Sequence, residues 1–369
     1  TSGTVTNPTV SYTRTLVGNL TGNWTAGPSV AFSAGNFYSI ASGNFETPST
    51  WSLIGYAGAA TLIAPTNYST VHIGNNRTVT VTAGSKTLTN STVNVGNGSA
   101  GTLDIGTYSG ISIGTLAGSG TIRITASEAA TAVFPTVTTN TFVTTAGSTV
   151  EYYGSTNYNL PAAPAAYRIL RISGTGQTKS TSALLRINQT LNLGGGLLSI
   201  GSNNLDIAVG ATVTGTPSST NMILANSTGL VRKYFNANGS FTYPFGTTGV
   251  YTPAAITFTA TTFTAPAGSR FIAMRPVATV APNQLDASYS LTKYWDVSSF
   301  NISGTINASF TFTYSTSERN ATAEPIYVGG SYNAGWTTTG TVNIPSSQIS
   351  FTGITSLTRT FTAGPSVAF

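Results

Sequence analysis

This chain offers few residues to chemistry. It holds one histidine, His72, in the run Thr-Val-His-Ile-Gly, and nine carboxylates spread along its length. A lone imidazole with no acid or nucleophile near it in sequence is expected to be structural. It leaves a Ser-His-Asp relay without its parts unless His72 acts alone. Two carboxylates, Asp104 and Asp206, share the local pattern Leu-Asp-Ile. Glycoside hydrolysis needs two carboxylates flanking one bond, so these two are the candidates for an enzyme. The alternation around each favours solvent-facing strand positions instead. No Asp-x-Asp-x-Asp run offers calcium a cluster of oxygens. No glycine-rich loop leads into a helix to take a phosphate. The chain has no cysteine, hence no disulfide and no thiolate metal site. The expectation is no catalytic residue, no cofactor and no metal.

The composition narrows the class further. Charged residues are 7% of the 369, against roughly 25% in an ordinary soluble domain. Thr, Ser, Asn and Gly carry the polar share, and Thr suits strands. The net charge of +6 comes from 15 Lys and Arg scattered over the chain. The only adjacent basic pair is Arg232 and Lys233. Nucleic-acid binders concentrate charge to neutralise several phosphates together, so nucleic acid is not an expected partner, and the bases read as scattered solubilising charges. No apolar run reaches 18 residues, so no membrane span is expected. No charged segment followed by an apolar stretch opens the sequence, so an exported chain would carry its signal elsewhere or have lost it. Twelve Asn-x-Ser/Thr sequons are present, little above the number chance supplies.

The elements that must position these residues are strands. Apolar residues alternate with Thr, Ser or Asn over short runs: RTVTVT (77–82), STVNVG (91–96), GTLDIG (101–106), GISIG (110–114) and GTIRI (120–124). Each is a period-2 strand closed by glycine or asparagine. A steady march of short strands with small corner residues favours a parallel β-solenoid over a sandwich of hairpins, here placed at 33–215. After about residue 216 the runs lengthen and turn aromatic, as in GSFTYPFG and LTKYWDVSSF. Eight to ten such strands predict an antiparallel immunoglobulin-like β-sandwich at 216–369, with Trp295 and Trp336 as core anchors. The fold class expected is all-β.

The octapeptide TAGPSVAF occurs at 25–32 and again at 362–369. With that offset of 337 residues held, 1–32 aligns without a gap on 338–369, and 16 of the 32 positions are identical. Residues 1–32 are therefore a second copy of the sandwich's last strands. Either the chain is one unit of a tandem array, or the first copy is a donor segment that completes a neighbour's sandwich by strand addition. The match extends through turns as well as strands, which favours the array. Solenoid sequence follows the first copy directly, so its apolar positions, Val5, Val10, Tyr12, Leu16, Leu20, Trp24, Val30 and Phe32, are the candidate assembly interface. Left in water, several such side chains forfeit on the order of 5–10 kcal/mol.

Longer stretches carry a family resemblance. FYSIASGNFETPSTWS (37–52), followed by STVHIGNNRTVTV (69–81), resembles the opening of repeat-rich cell-surface proteins of Bacteroidota. VEYYGSTNYNLPAAPAAYRILRISGTGQTKS (150–180) is similar to their solenoid coils, and GSFTYPFG and KYWDVSS to the sandwich after those coils. The resemblance covers most of 37–362. It implies export by type IX secretion and a place among gliding adhesins and the grappling-hook filaments of predatory gliding bacteria. Its motifs carry no catalytic residue. The sorting domain that usually ends these proteins has no counterpart here, which implies a segment from within a longer chain.

The function expected is that of a structural repeat unit of an extracellular fibre or adhesin, secreted or at the cell surface. Stacked coils give a stiff rod, and low charge lets rods associate without strong repulsion. The partners expected are copies of itself, and cell-surface glycans or other cells. The alternative is a carbohydrate-active β-solenoid enzyme or a polysaccharide-binding module.

Overall fold

The structure is a computed structural model that describes Ser2–Thr6, Thr9–Thr13 and residues 35–369. Regular structure among the described residues is strand and short 3-10 turn, with no α-helix. The β-branched alternation suits a pleated surface, and glycines interrupt the chain too often for a helix to propagate.

From Asn36 the chain winds into a parallel β-solenoid of about eight turns. One ladder holds Asn36–Ser39, Thr70–Ile73, Thr87–Val95, Ser112–Ala117 and Thr136–Asn140. A second holds Gly43–Asn44, Arg77–Thr80, Gly101–Gly106, Thr121–Ile124, Thr149–Tyr152, Ala166–Ser173 and Leu185–Gly194. A third begins with Tyr158–Asn159 and continues through Thr178–Ser180, Leu197–Ser199 and Ile223–Leu224. In parallel stacking, equal positions of successive coils lie over one another. Each interior position thus becomes a column, and Val79, Leu103, Ile122, Val150, Leu170 and Leu191 form one, buried throughout. The corners recur in the same way. Gly154, Gly174 and Gly195 follow the second ladder at equivalent positions, with φ of +104°, +112° and +121°. A Cβ on Gly174 would lie 2.2 Å from the Gly154 carbonyl of the coil beside it.

The parallel ladders run past Gly215, the boundary expected from the change of texture. Leu205–Ile207 takes Val231–Tyr234 in parallel register, and Ile223–Leu224 takes Phe245–Thr247. Aromatic side chains serve the last coil as well as the antiparallel strands after it, so texture marks the transition too early. Val231–Tyr234 has a second partner. On its other edge Phe271–Val277 pairs antiparallel, so the sheet continues without a break from the solenoid into the antiparallel region.

That region has two antiparallel ladders. One runs Phe271–Val277, Tyr294–Phe300, Arg359–Pro365, Tyr327–Tyr332. The other runs Gly239–Tyr243, Ala254–Phe258, Ala308–Thr313, Gln348–Ile354. Trp336–Asn343 pairs into both. Their facing rings meet, with Trp295–Phe312 and Phe310–Phe361 centroids 5.0 Å apart. Trp295 is fully buried. Trp336 is only half-buried, packs on Tyr332 and Phe369, and donates its indole N–H to the Asn283 carbonyl at 2.7 Å.

The two copies of the repeat are both strand–turn–strand where described. Ser2–Thr6 pairs antiparallel with Thr9–Thr13, and among the described residues this hairpin is a sheet of its own. The registers differ by two residues. Thr4 faces Ser11, whereas its counterpart Thr341 faces Ser350, the counterpart of Thr13.

Candidate functional site

The outward face of the second ladder carries a column of alternating charge. Asp104, Arg123, Glu151 and Arg171 occupy one register position of four consecutive strands. Arg123 bonds Asp104 at 3.0 Å and Glu151 at 2.9 Å, and Arg171 lies 3.5 Å from Glu151. Identical coils would stack like charges one strand spacing apart, a destabilising arrangement. Alternation of sign turns repulsion into pairing. Tyr153 donates its hydroxyl to Asp104 at 2.8 Å and lies under the Arg123 guanidinium, 4.0 Å from ring to Cζ. Burial, with the Asp104 bond second, pushes its phenol up to about 12. Ser173 completes the shell of Glu151 at 2.7 Å.

A second column repeats the arrangement further along. Asp206 sits between Arg186 and Arg232, at 3.7 and 2.5 Å, and accepts from the Tyr234 hydroxyl at 3.2 Å. Arg186 overlies the Tyr234 ring as Arg123 overlies Tyr153. Each aspartate is thus held by arginine and a tyrosine hydroxyl on a flat strand surface.

Inward positions hold the second unusual feature. Three of the chain's lysines, Lys179, Lys233 and Lys293, are buried. Lys179 takes the interior position between Tyr158 and Leu198 in the third ladder. Its ammonium donates to the carbonyls of Gly154 and Thr156 at 3.1 and 2.5 Å and lies over the Tyr158 ring. Lys233 donates to the Ala208 and Ala211 carbonyls, both at 2.7 Å. Both satisfy corner carbonyls in a dry interior, where a carbonyl without a partner is costly; that of Ala208 also accepts from the Ala211 amide at 3.1 Å. Desolvation lowers both lysines to about 8. Lys293 pairs with Glu318 and bonds the Thr252 hydroxyl at 2.9 Å; burial lowers it and Glu318 opposes that. The basic pair Arg232–Lys233 is therefore no solubilising patch. Arg232 faces outward into an ion pair and Lys233 faces the core, because adjacent strand residues point to opposite faces.

The residues singled out from sequence fall as follows. His72 stacks on Tyr38 with ring centroids 4.6 Å apart, and its nitrogens approach Asn36 at 3.2 Å and Asn97 at 3.4 Å. Burial lowers its pKa, and its hydrogen-bond neighbours are amides. Asp104 and Asp206 do not come together. Four strands of the stack lie between theirs, a separation on the order of 24 Å at about 4.8 Å per strand, beyond the reach of a glycosidase pair. Val5, Val10 and Tyr12 lie on the N-terminal hairpin. Leu16, Leu20, Trp24, Val30 and Phe32 lie outside the described residues. Among the described residues no three His, Asp or Glu side chains gather as a metal site. Two clefts among the described residues are shallow: one of about 320 Å³ between residues 209–212 and 233–241, and one of about 300 Å³ beside Asn226, Thr247 and Pro276.

Sequence reasoning missed the charge columns and the buried lysines. The columns had a signal: Leu-Asp-Ile, Ile-Arg-Ile, Val-Glu-Tyr and Leu-Arg-Ile recur with the charge between two inward residues and its sign reversing. The lysines had only their place on the apolar phase of a strand. Comparison with protein-family models, with curated proteins and with solved structures gave no match to this chain.

Proposed function

We propose that this chain is a structural repeat of an extracellular fibre or adhesin, built to be joined end to end with copies of itself. The observation that carries this reading is the ungapped recurrence of residues 1–32 at 338–369. Its last strands close the antiparallel region of a unit, and the first copy is then the end of the unit before. In this reading the antiparallel region is an immunoglobulin-like β-sandwich, and the apolar residues of 1–32 are covered by the preceding unit's sandwich. The solenoid supports a rod-like role, since every coil is paired and packed to its neighbours. The charges support it too, because most carboxylates are engaged in ion pairs within the fold. Likeness of 37–362 to Bacteroidota surface proteins supports export by type IX secretion and attachment to surface glycans or cells.

Immunogold electron microscopy of intact cells tests the reading: antibodies to this chain should decorate fibres outside the envelope, and the parent reading frame should repeat with a period of 337 residues. Label confined to the cytoplasm would overturn it. So would polysaccharide turnover that disappears in Asp104→Asn or Asp206→Asn.

A further inference from the structure

The open end of a solenoid exposes its core columns, so a terminal coil needs a cap whose outer face is polar. The N-terminal cap here is built otherwise. Trp51–Ser52 pairs antiparallel along the outer edge of Asn36–Ser39, the first strand of its ladder. The next segment turns Leu53, Ile63 and Ala64 onto the core. Between them Ile54 and Leu62 face the other way, 83% and 92% exposed. Their places are fixed beside the outermost strand: the Ile54 amide donates to Ser52 Oγ at 3.3 Å, and the Thr61 amide donates to the Trp51 carbonyl at 2.8 Å. No charged residue occurs anywhere in 53–69. The cap is apolar on both faces.

The opposite end shows the same anomaly. Leu285, Ile326 and Val367 are 81%, 64% and 70% exposed. They form one patch. The Leu285 amide donates to the Ala368 carbonyl at 2.9 Å, and the pairing of Tyr327 with Pro365 sets Ile326 beside Val367. Phe369 closes it against Trp336, on the strand Trp336–Asn343 at the end of the sheet that starts in the solenoid.

The repeat brings these two ends together. Phe32 is the counterpart of Phe369, and after it come only Ser33, Ala34 and Gly35 before Asn36 opens the first ladder strand. Four residue steps span at most about 14 Å. In a tandem array Phe369, at the edge of that patch, therefore lies within about 14 Å of the next unit's first ladder strand, and Val367 within about 22 Å.

We propose that the Leu285, Ile326 and Val367 patch of one unit seats on the Ile54 and Leu62 cap of the unit that follows it in the same chain. This rests on the tandem reading above. It goes beyond it in making the junction a packed contact instead of a free hinge. The contact is heterologous, one surface against a different one, so it propagates along the array without closing.

Natural absence of cysteine makes the test clean. A two-unit protein, residues 1–369 continued by a second 33–369, carries Val367→Cys in the first unit and Leu62→Cys in the second. Under mild oxidant it should form an intrachain disulfide at least tenfold faster than the same protein with the second cysteine moved to Ser240, an exposed site on the antiparallel region. Adding Ile54→Asp in the second unit and Leu285→Asp in the first should remove that advantage. Both are exposed positions, so the single-unit melting temperature should stay unchanged. Equal rates for the two cysteine pairs, or a rate indifferent to the aspartates, would overturn the proposal. Disulfides that form only between molecules, in proportion to concentration, would assign the patches to a free second copy and overturn it as well. Failure of the tandem reading is seen separately, as a parent reading frame without the 337-residue period.

Discussion

The solenoid and the antiparallel region are made from similar strands yet fill their interiors differently. The solenoid column from Val79 to Leu191 is aliphatic, whereas the antiparallel core is built on Trp295, Phe310, Phe312, Phe351 and Phe361. Parallel stacking puts like on like at about 4.8 Å, a spacing that branched aliphatic side chains fill. Two packed sheets stand about 10 Å apart and need side chains that cross the gap. Electrostatics differ in parallel. The solenoid sets its main ion pairs in outward columns and leaves its buried lysines on carbonyls, while Lys293 and Glu318 form a buried ion pair in the antiparallel region. One architecture repeats a local solution coil by coil; the other depends on a few large contacts between strands distant in sequence.

Trp295→Ala should give the largest effect, a loss of about 3–5 kcal/mol. Because Val231–Tyr234 belongs to both regions, urea unfolding followed by far-UV circular dichroism and, in a Trp24→Phe, Trp336→Phe background, by Trp51 fluorescence should shift together. Separate midpoints would show that the shared strand does not couple the two. Arg123→Met comes next, at about 2–4 kcal/mol, since it strips the buried Asp104 and Glu151 of their common partner. Arg123→Lys should recover part of that loss. Gly174→Ala should cost about 1–3 kcal/mol by the same measurement, from a strained φ and a Cβ pressed against the Gly154 carbonyl. A glycine at a loop tip with open space around it, such as Gly249, should tolerate Ala better by about a kcal/mol.

The smallest effect is a pH dependence set by the buried lysines and limited by the tyrosines. Folding lowers Lys179 and Lys233 from the ordinary 10.5 to about 8. Between those values the unfolded chain binds more protons than the folded one, so stability rises with pH from about 8. The rise ends near 10, where tyrosines of the unfolded chain ionise while Tyr153, held near 12, and the buried Tyr152 and Tyr243 stay protonated. The melting temperature should therefore pass through a maximum between about pH 9 and 10, gaining about 1–3 °C. A Lys179→Met, Lys233→Met chain that keeps the same rise would sink this account.

The strands were legible because the alternation has one phase per strand and glycine closes each. The triplets around Asp104, Arg123, Glu151 and Arg171 show why registry was harder to read. Each looks like a solvent-facing charge by itself, and only the coil length, 19 to 28 residues between successive column positions such as Leu103, Ile122 and Val150, reveals that they stack. The end of the solenoid is hidden because Val231–Tyr234 reads as a strand of the later region, and a strand with a different partner on each edge has no signature in one dimension. Lys179 and Lys233 escaped because a charge on the apolar phase makes sense only once the corner carbonyls it terminates are known. His72 is isolated in the sequence, and in the structure its ring nitrogens meet amides and its face a tyrosine ring.

The stacking of coils along one axis also determines how the solenoid answers a pull. Tension applied at the two ends acts across the ladders, and it loads the hydrogen bonds of the outermost coil first, one after another. Each coil contacts only its neighbours, so it can be released without disturbing the rest. From Leu170 to Leu191 is one coil, and unwinding it lengthens the molecule by on the order of 70 Å. A solenoid built this way yields in small steps, one coil at a time.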